Sequence, residues 1–177
     1  MIHPSNNFDA LVRPQLDKLY RFAFRLTGQI ADAEDLVQEV LIKAYHRREE
    51  LTSMTDALGP WMARVLYNRF VDDQRKHARS RLRSVPLDEE ADQLSATEHE
   101  PALPERAAQA EFDISRLKQA LAELSLEHRA VLLMHDSEGY KLEEIQTITG
   151  VPLGTLKSRL HRARARLRTL LEADGTF

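Results

Sequence analysis

Apolar residues between Leu142 and Leu170 recur with a period that leaves few folds open. Leu142, Ile145 and Ile148 fall on one face of a helix of about two turns. The turn Thr149-Gly150-Val151-Pro152 follows. Glycine supplies the backbone freedom of a tight inter-helix turn, and proline is preset for the first turn of the next helix. Leu153, Leu156, Leu160, Ala163, Leu167 and Leu170 then make a narrow stripe at about 100° per residue. Lys157, His161, Arg164 and Arg168 lie along an adjacent stripe, which Ser158 and Arg162 extend away from the apolar side. The pattern predicts a helix-turn-helix whose second helix buries one side and offers cations on the other, as a major-groove reading helix must. Lysine and arginine can pair with guanine edges, and serine and histidine can serve a base or a phosphate. Thr155 and the amides at the helix start suit a phosphate. The candidate DNA contacts are Thr155, Lys157, Ser158, Arg159, His161, Arg162, Arg164 and Arg166. A basic amphipathic helix for an acidic protein or a membrane surface is the competing reading.

The remainder also reads as helical, giving an all-α chain with no strand pattern and no internal repeat. Phe8, Leu11, Val12, Leu16, Leu19, Tyr20, Ala23 and Leu26 keep helical spacing until Gly28, and Pro14 predicts a second helix start or a kink. Asp32 is the expected N-cap of the next helix, with Leu36, Val40 and Ala44 on its inner face. A polar loop over residues 51–59 leads to Pro60, which opens a helix expected to bury Trp61, Val65, Leu66 and Phe70. Leu117, Leu121 and Leu124 predict an apolar stripe; Ser125 caps a further helix, and Gly139 ends it.

Net charge is −3, yet the charge is segregated. Residues 61–84 carry Arg64, Arg69, Arg75, Lys76, Arg79, Arg81 and Arg83 against Asp72 and Asp73. Residues 153–171 carry six cations and no acid, while residues 85–113 carry nine acids and one arginine. Blocks of this kind matter more than the sum when the partner is a polyanion. Residues 84–104 hold three prolines and no apolar periodicity, the composition of a flexible linker. Such a segment spans roughly 25 Å coiled and about 70 Å extended. Two small helical domains are therefore expected, residues 1–83 and 105–177, joined by an acidic linker over 84–104.

The chain has no cysteine, which removes disulfides and thiolate metal sites. His128 and His135 stand seven apart, too far for paired ligation at a spacing of four. With no nucleophile triad and no phosphate-cradling glycine loop, neither catalysis, cofactor nor metal is expected. The longest apolar run, residues 130–134, excludes membrane insertion, and residues 1–9 lack a signal pattern, so a cytoplasmic protein is expected.

The run Asp32-Ala33-Glu34-Asp35-Leu36-Val37-Gln38-Glu39-Val40-Leu41-Ile42-Lys43-Ala44-Tyr45 resembles the signature helix of bacterial sigma factors of the extracytoplasmic-function group. The run from Val151 to Arg164 resembles the terminal helix-turn-helix of the same group. The resemblance implies a partner, core RNA polymerase, docked on its largest-subunit clamp by Asp35, Leu36, Gln38, Glu39 and Val40 and touched again at its flap. It implies promoter DNA as a second partner, with the C-terminal helix on the −35 element. The helix from Trp61 onward would meet the −10 element, with Arg64, Asn68, Arg69, Arg75 and Arg79 gripping the backbone and a base flipped into the loop over residues 52–59. Trp61 is expected to pack in the core, while Tyr67 is open between core and base. Leu58-Gly59-Pro60 before the tryptophan and Met62 after it depart from the group's usual pattern, as do Gln146, Thr147 and His161 in the C-terminal motif. An anti-sigma protein is a further implied partner. The alternative is a stand-alone helix-turn-helix regulator that does not bind polymerase.

Overall fold

The computed structural model describes residues 4–53, 57–83 and 105–173, and every regular element among them is helical. Helix α1 (Pro4–Thr27) packs against α2 (Ile30–His46), and the short α3 (Arg48–Thr52) leads toward α4 (Leu58–Arg83). After residues 84–104, which lie outside the described residues together with the expected linker, come α5 (Glu105–Ala122) and α6 (Leu126–Leu132). A π-helical turn (Leu133–Ser137) joins α6 to α7 (Leu142–Thr149) and α8 (Leu153–Ala173).

No second helix starts at Pro14, which sits inside α1. Phe8 and Val12 before it, and Leu19, Phe22, Ala23 and Leu26 after it, are buried in the same core. Packing on both sides outweighs the one backbone hydrogen bond that proline removes. Gly28, at φ 79°, closes the helix, and its N–H donates to the Phe24 carbonyl at 2.8 Å. Asp32 is not the N-cap of α2: the helix starts two residues earlier behind Gln29, leaving Asp32 in the first turn. Its charge still complements the positive end of the helix there.

The expected loop over residues 51–59 is shorter than read. Leu51 belongs to α3 and Leu58 begins α4, and both are buried, so apolar anchoring draws the ends of the loop into helices. Leu66 and Phe70 are buried as expected, but Trp61 and Val65 are only half-buried, and Met62, Ala63 and Tyr67 take the inner positions.

In the C-terminal half, the Ser125 hydroxyl accepts from the His128 N–H at 3.4 Å and caps α6. Leu121 and Leu124 are buried, whereas Leu117 is 41% exposed and falls off the expected stripe. The π turn lets the Glu138 N–H reach the Leu133 carbonyl and the Tyr140 N–H reach that of Met134, both at 2.9 Å. It swings the chain so that Glu138 and Tyr140 face the N-terminal half. There α4 packs on α7, and α1 meets α6 and the π turn. The buried residues of both halves form a single cluster.

Candidate nucleic-acid interface

The turn between α7 and α8 forms as the sequence dictates. Gly150 adopts φ 72°, and its N–H donates to the Gln146 carbonyl at 2.8 Å. Only glycine enters that left-handed region without strain. The Thr149 hydroxyl donates to the Ile145 carbonyl at 2.7 Å and accepts from the Val151 N–H at 3.2 Å. Burial of Leu156, Leu160 and Ala163 then fixes the rotation of α8. Thr155, Lys157, Ser158, His161 and Arg162 consequently face solvent together. The Ser158 hydroxyl donates to the Thr155 carbonyl at 2.9 Å, which leaves its oxygen to accept.

Two of the expected contacts interact with other parts of the fold. Arg159 is half-buried and its charge acts on the Tyr67 hydroxyl in α4. Arg164 pairs with Asp136 of the π turn, Nε lying 2.9 Å from Oδ2. The Arg164 guanidinium, against the opposing effect of burial and with help from His135, holds the Asp136 carboxyl below the ordinary carboxylate range. Arg164 is thus tied to the π turn while its side chain stays 51% exposed, a pairing that spacing alone does not reveal because Asp136 lies 28 residues away. Arg166 remains exposed, with Glu123 at 3.7 Å.

On α4, Arg64, Asn68, Arg75 and Arg79 are all exposed. At about 100° per residue these positions fall within roughly 60° of one another, a single stripe along the helix. Arg75 has a weak exposed pair with Asp72 at 3.7 Å. Arg69 does not belong to this stripe. It lies roughly 140° round from Arg64, turned toward α2, where its Nε is 2.6 Å from Glu39 Oε2 and its Nη1 is 2.8 Å from Asp73 Oδ1. Glu39 foremost, with Asp73 adding and burial opposing, raises the guanidinium above its ordinary value.

Trp61 is half-buried, with the Arg47 guanidinium 5.7 Å from its ring centre. Tyr67 is 8% exposed, and burial first of all pushes its hydroxyl up, opposed by Arg159. Of the loop expected to hold a flipped base, residues 54–56 lie outside the described residues.

The second helix supplies a different surface. Leu36 and Val40, expected to touch polymerase, are core residues, 6% and 0% exposed. Their spacing from Ala33 and Ala44 marks the inner stripe, so they fix the rotation of α2 without joining its exposed face. Asp35 and Gln38 are exposed, and Ile42 and Tyr45 continue their line at 57% and 51% exposure. This apolar extension was readable from positions 35, 38, 42 and 45, which share one helix face. Asp32, Asp35 and Glu39 of α2 face Arg69, Asp73 and His77 of α4 across a groove of about 200 Å³.

Where the halves meet, Arg25 of α1 binds Glu138 at 3.2 Å and donates to the Ser137 hydroxyl. The Glu138 side chain is 1% exposed. Lys18 Nζ sits 3.8 Å from the centre of the Tyr140 ring. Burial, with Glu138 and Glu144 adding, pushes the Tyr140 hydroxyl up to about 12. Lys118 stands 5.3 Å from the Phe24 ring centre. The sequence does not display this seam, because its members lie far apart in the chain, 113 residues for Arg25 and Glu138, and no periodicity links them.

Among the described residues, no cluster of three His, Cys, Asp or Glu is placed to hold a metal, and no helix is long and apolar enough to cross a membrane.

Comparison with known proteins places both halves of the chain in described families. Residues 11–80 match the family described as Sigma-70 region 2, and residues 114–167 match Sigma-70, region 4. The chain is 36% identical over 170 residues to the ECF RNA polymerase sigma factor SigL of Mycobacterium tuberculosis, covering 94% of this chain and 92% of that protein. It is also 36% identical to SigE of Mycolicibacterium smegmatis, covering 93% of this chain but only 62% of the relative. Among solved structures it is similar to the sigma factor RpoE of Bartonella quintana, crystallised with the anti-sigma factor NepR. That match has a TM-score of 0.74 and 30% identity, and it covers 94% of this chain and 98% of that one. CnrH, solved with the cytosolic domain of CnrY, shares the fold with a TM-score of 0.65 and 21% identity, covering 95% of this chain and 89% of that one. With both conserved regions in order and full-length relatives this similar, the chain belongs to the extracytoplasmic-function (ECF) family of RNA polymerase sigma factors.

Proposed function

We propose that this chain binds core RNA polymerase through the exposed face of α2, reads a −35 element with α8 and a −10 element with α4, and so directs transcription initiation in the cytoplasm. Asp35, Gln38 and Glu39 provide the polar and acidic part of the polymerase face, and Ile42 and Tyr45 its apolar part. Thr155, Lys157, Ser158, His161 and Arg162 read or grip the upstream element, and Arg166 grips phosphate. Arg64, Asn68, Arg75 and Arg79 track the downstream backbone. The chain acts without catalysis or cofactor, as a binding and positioning factor, divided functionally into residues 1–83, 84–104 and 105–177.

The observation that carries this reading is the presence of two separate cationic stripes beside an exposed acidic and apolar helix face. A stand-alone regulator needs only the α8 stripe, and family membership favours the sigma reading over it. Promoter elements a turn and a half apart lie roughly 50–60 Å from each other. Here the halves share one core, so engaging both elements requires the seam to part. RpoE of Bartonella quintana was crystallised with an anti-sigma factor, and a comparable protein is the proposed inhibitory partner here.

In-vitro transcription with core polymerase on a genomic fragment library tests the reading. Discrete start sites that depend on the added protein are expected. Failure to bind core polymerase, combined with unaided binding to an operator, would establish the stand-alone regulator instead.

A further inference from the structure

Five side chains were expected to grip the −10 strand, and one of them is held elsewhere. Arg69 is ion-paired on both sides, its Nε 2.6 Å from Glu39 Oε2 of α2 and its Nη1 2.8 Å from Asp73 Oδ1 of its own helix. Its side chain is 28% exposed and lines the groove between the helices, and Glu39 is 41% exposed on the same groove. Arg64, Asn68 and Arg79 have no such tie to α2. The pair thus joins the helix assigned to polymerase to the helix assigned to promoter, charge against charge.

We infer that the Glu39–Arg69 pair couples the two binding events: a basic group of polymerase that takes Glu39 releases Arg69 toward a promoter phosphate. This inference rests on the assignment of α2 to polymerase and α4 to promoter. In the free chain, Glu39 and Asp73 neutralise Arg69, and nucleic-acid phosphate must compete with both. When a cation of the polymerase engages Glu39, Arg69 keeps only Asp73, an intrahelical partner of the kind that contributes little at a surface. Its guanidinium is then available for a two-pronged contact with phosphate oxygens. Linkage requires the effect to be reciprocal, so promoter binding strengthens polymerase binding by the same factor. Arg69 is a positioning residue in the free protein and becomes a DNA contact only in the complex.

A double-mutant cycle on the full chain tests this. Glu39→Gln should raise the affinity of the free protein for a labelled mixed-sequence single strand of about a dozen nucleotides. The expected gain is roughly fivefold, at the low end of ordinary couplings between sites. The salt dependence should steepen by about 0.7, the increment for one added phosphate contact on a single strand. Both changes should vanish in Glu39→Gln/Arg69→Ala, and Asp35→Asn, which removes an equal charge from the same helix, should produce neither. A gain that persists without Arg69, or that Asp35→Asn reproduces, would reduce the effect to net charge and overturn the coupling. No gain in Glu39→Gln with its melting temperature unchanged, while the unmutated chain binds polymerase, would overturn the coupling alone. Failure of the wild-type chain to bind polymerase would sink the underlying assignment as well.

Discussion

Single side chains on this surface divide into those that read and those that brace, and substitution separates the two. Lys157→Ala or Arg162→Ala should cost about 1–3 kcal/mol of specific binding and relax base preference at the −35 element, checked by competition among single-base promoter variants. Arg166→Ala should weaken all sequences alike and flatten the salt slope by about one unit. Identical behaviour of the two classes would refute the assigned orientation of α8. On α2 the division lies between face and core. Asp35→Arg should lower polymerase affinity in a pull-down with the melting temperature unchanged. Leu36→Ala should cost about 2–4 kcal/mol of stability in a denaturant titration, because the side chain is 6% exposed in the core.

Among the elements, those with strong periodicity were legible and their ends were not. The α7–turn–α8 unit followed from Gly150, Pro152 and two apolar stripes, since local chemistry alone determines that turn. Pro14 misled because its local penalty is set against burial on both flanks, which sequence does not display. Asp32 misled because an acid in the first turn resembles an acid at the cap. The π turn carried no signal of its own; the preceding apolar run, residues 130–134, reads equally as ordinary helix. That turn bears Asp136, whose depressed carboxyl gives a pH prediction. The stabilisation is present above the ordinary carboxylate value and fades as pH falls through the depressed one. Asp136→Asn should therefore lower stability at neutral pH, by less than about 1 kcal/mol given the exposure of the pair, and by less in strong acid, as the carboxyl takes up its proton. An equal loss at both pH values would remove the Arg164 pair as the cause. Gly150→Ala should destabilise the C-terminal half by about 1–2 kcal/mol through its left-handed backbone, measured by thermal melting.

For the whole molecule, the division into two helical parts was legible from charge blocks and the proline-rich acidic stretch, while their mutual packing was not. Arg25 and Lys18 looked like ordinary solvated cations of an amphipathic helix, and Tyr140 like an internal aromatic of its own domain. Only the fold brings them together. Arg25→Glu sets a second carboxylate against the buried Glu138, and like charges held out of water repel strongly. It should enlarge the radius of gyration in solution scattering while helical content stays constant. An unchanged radius would show that the salt bridge does not hold the halves together. Deleting about ten residues from 84–104 should abolish promoter opening with both halves still folded, because the shortened reach cannot span the two elements.

The hydrophobic cluster that the halves share beside that seam has a thermal consequence. Separating the halves wets apolar side chains of that cluster, which raises heat capacity. An association of that kind loosens on chilling and tightens on moderate warming. The fraction of molecules ready for a promoter should therefore shift with the temperature of the cell, even where no signal protein intervenes.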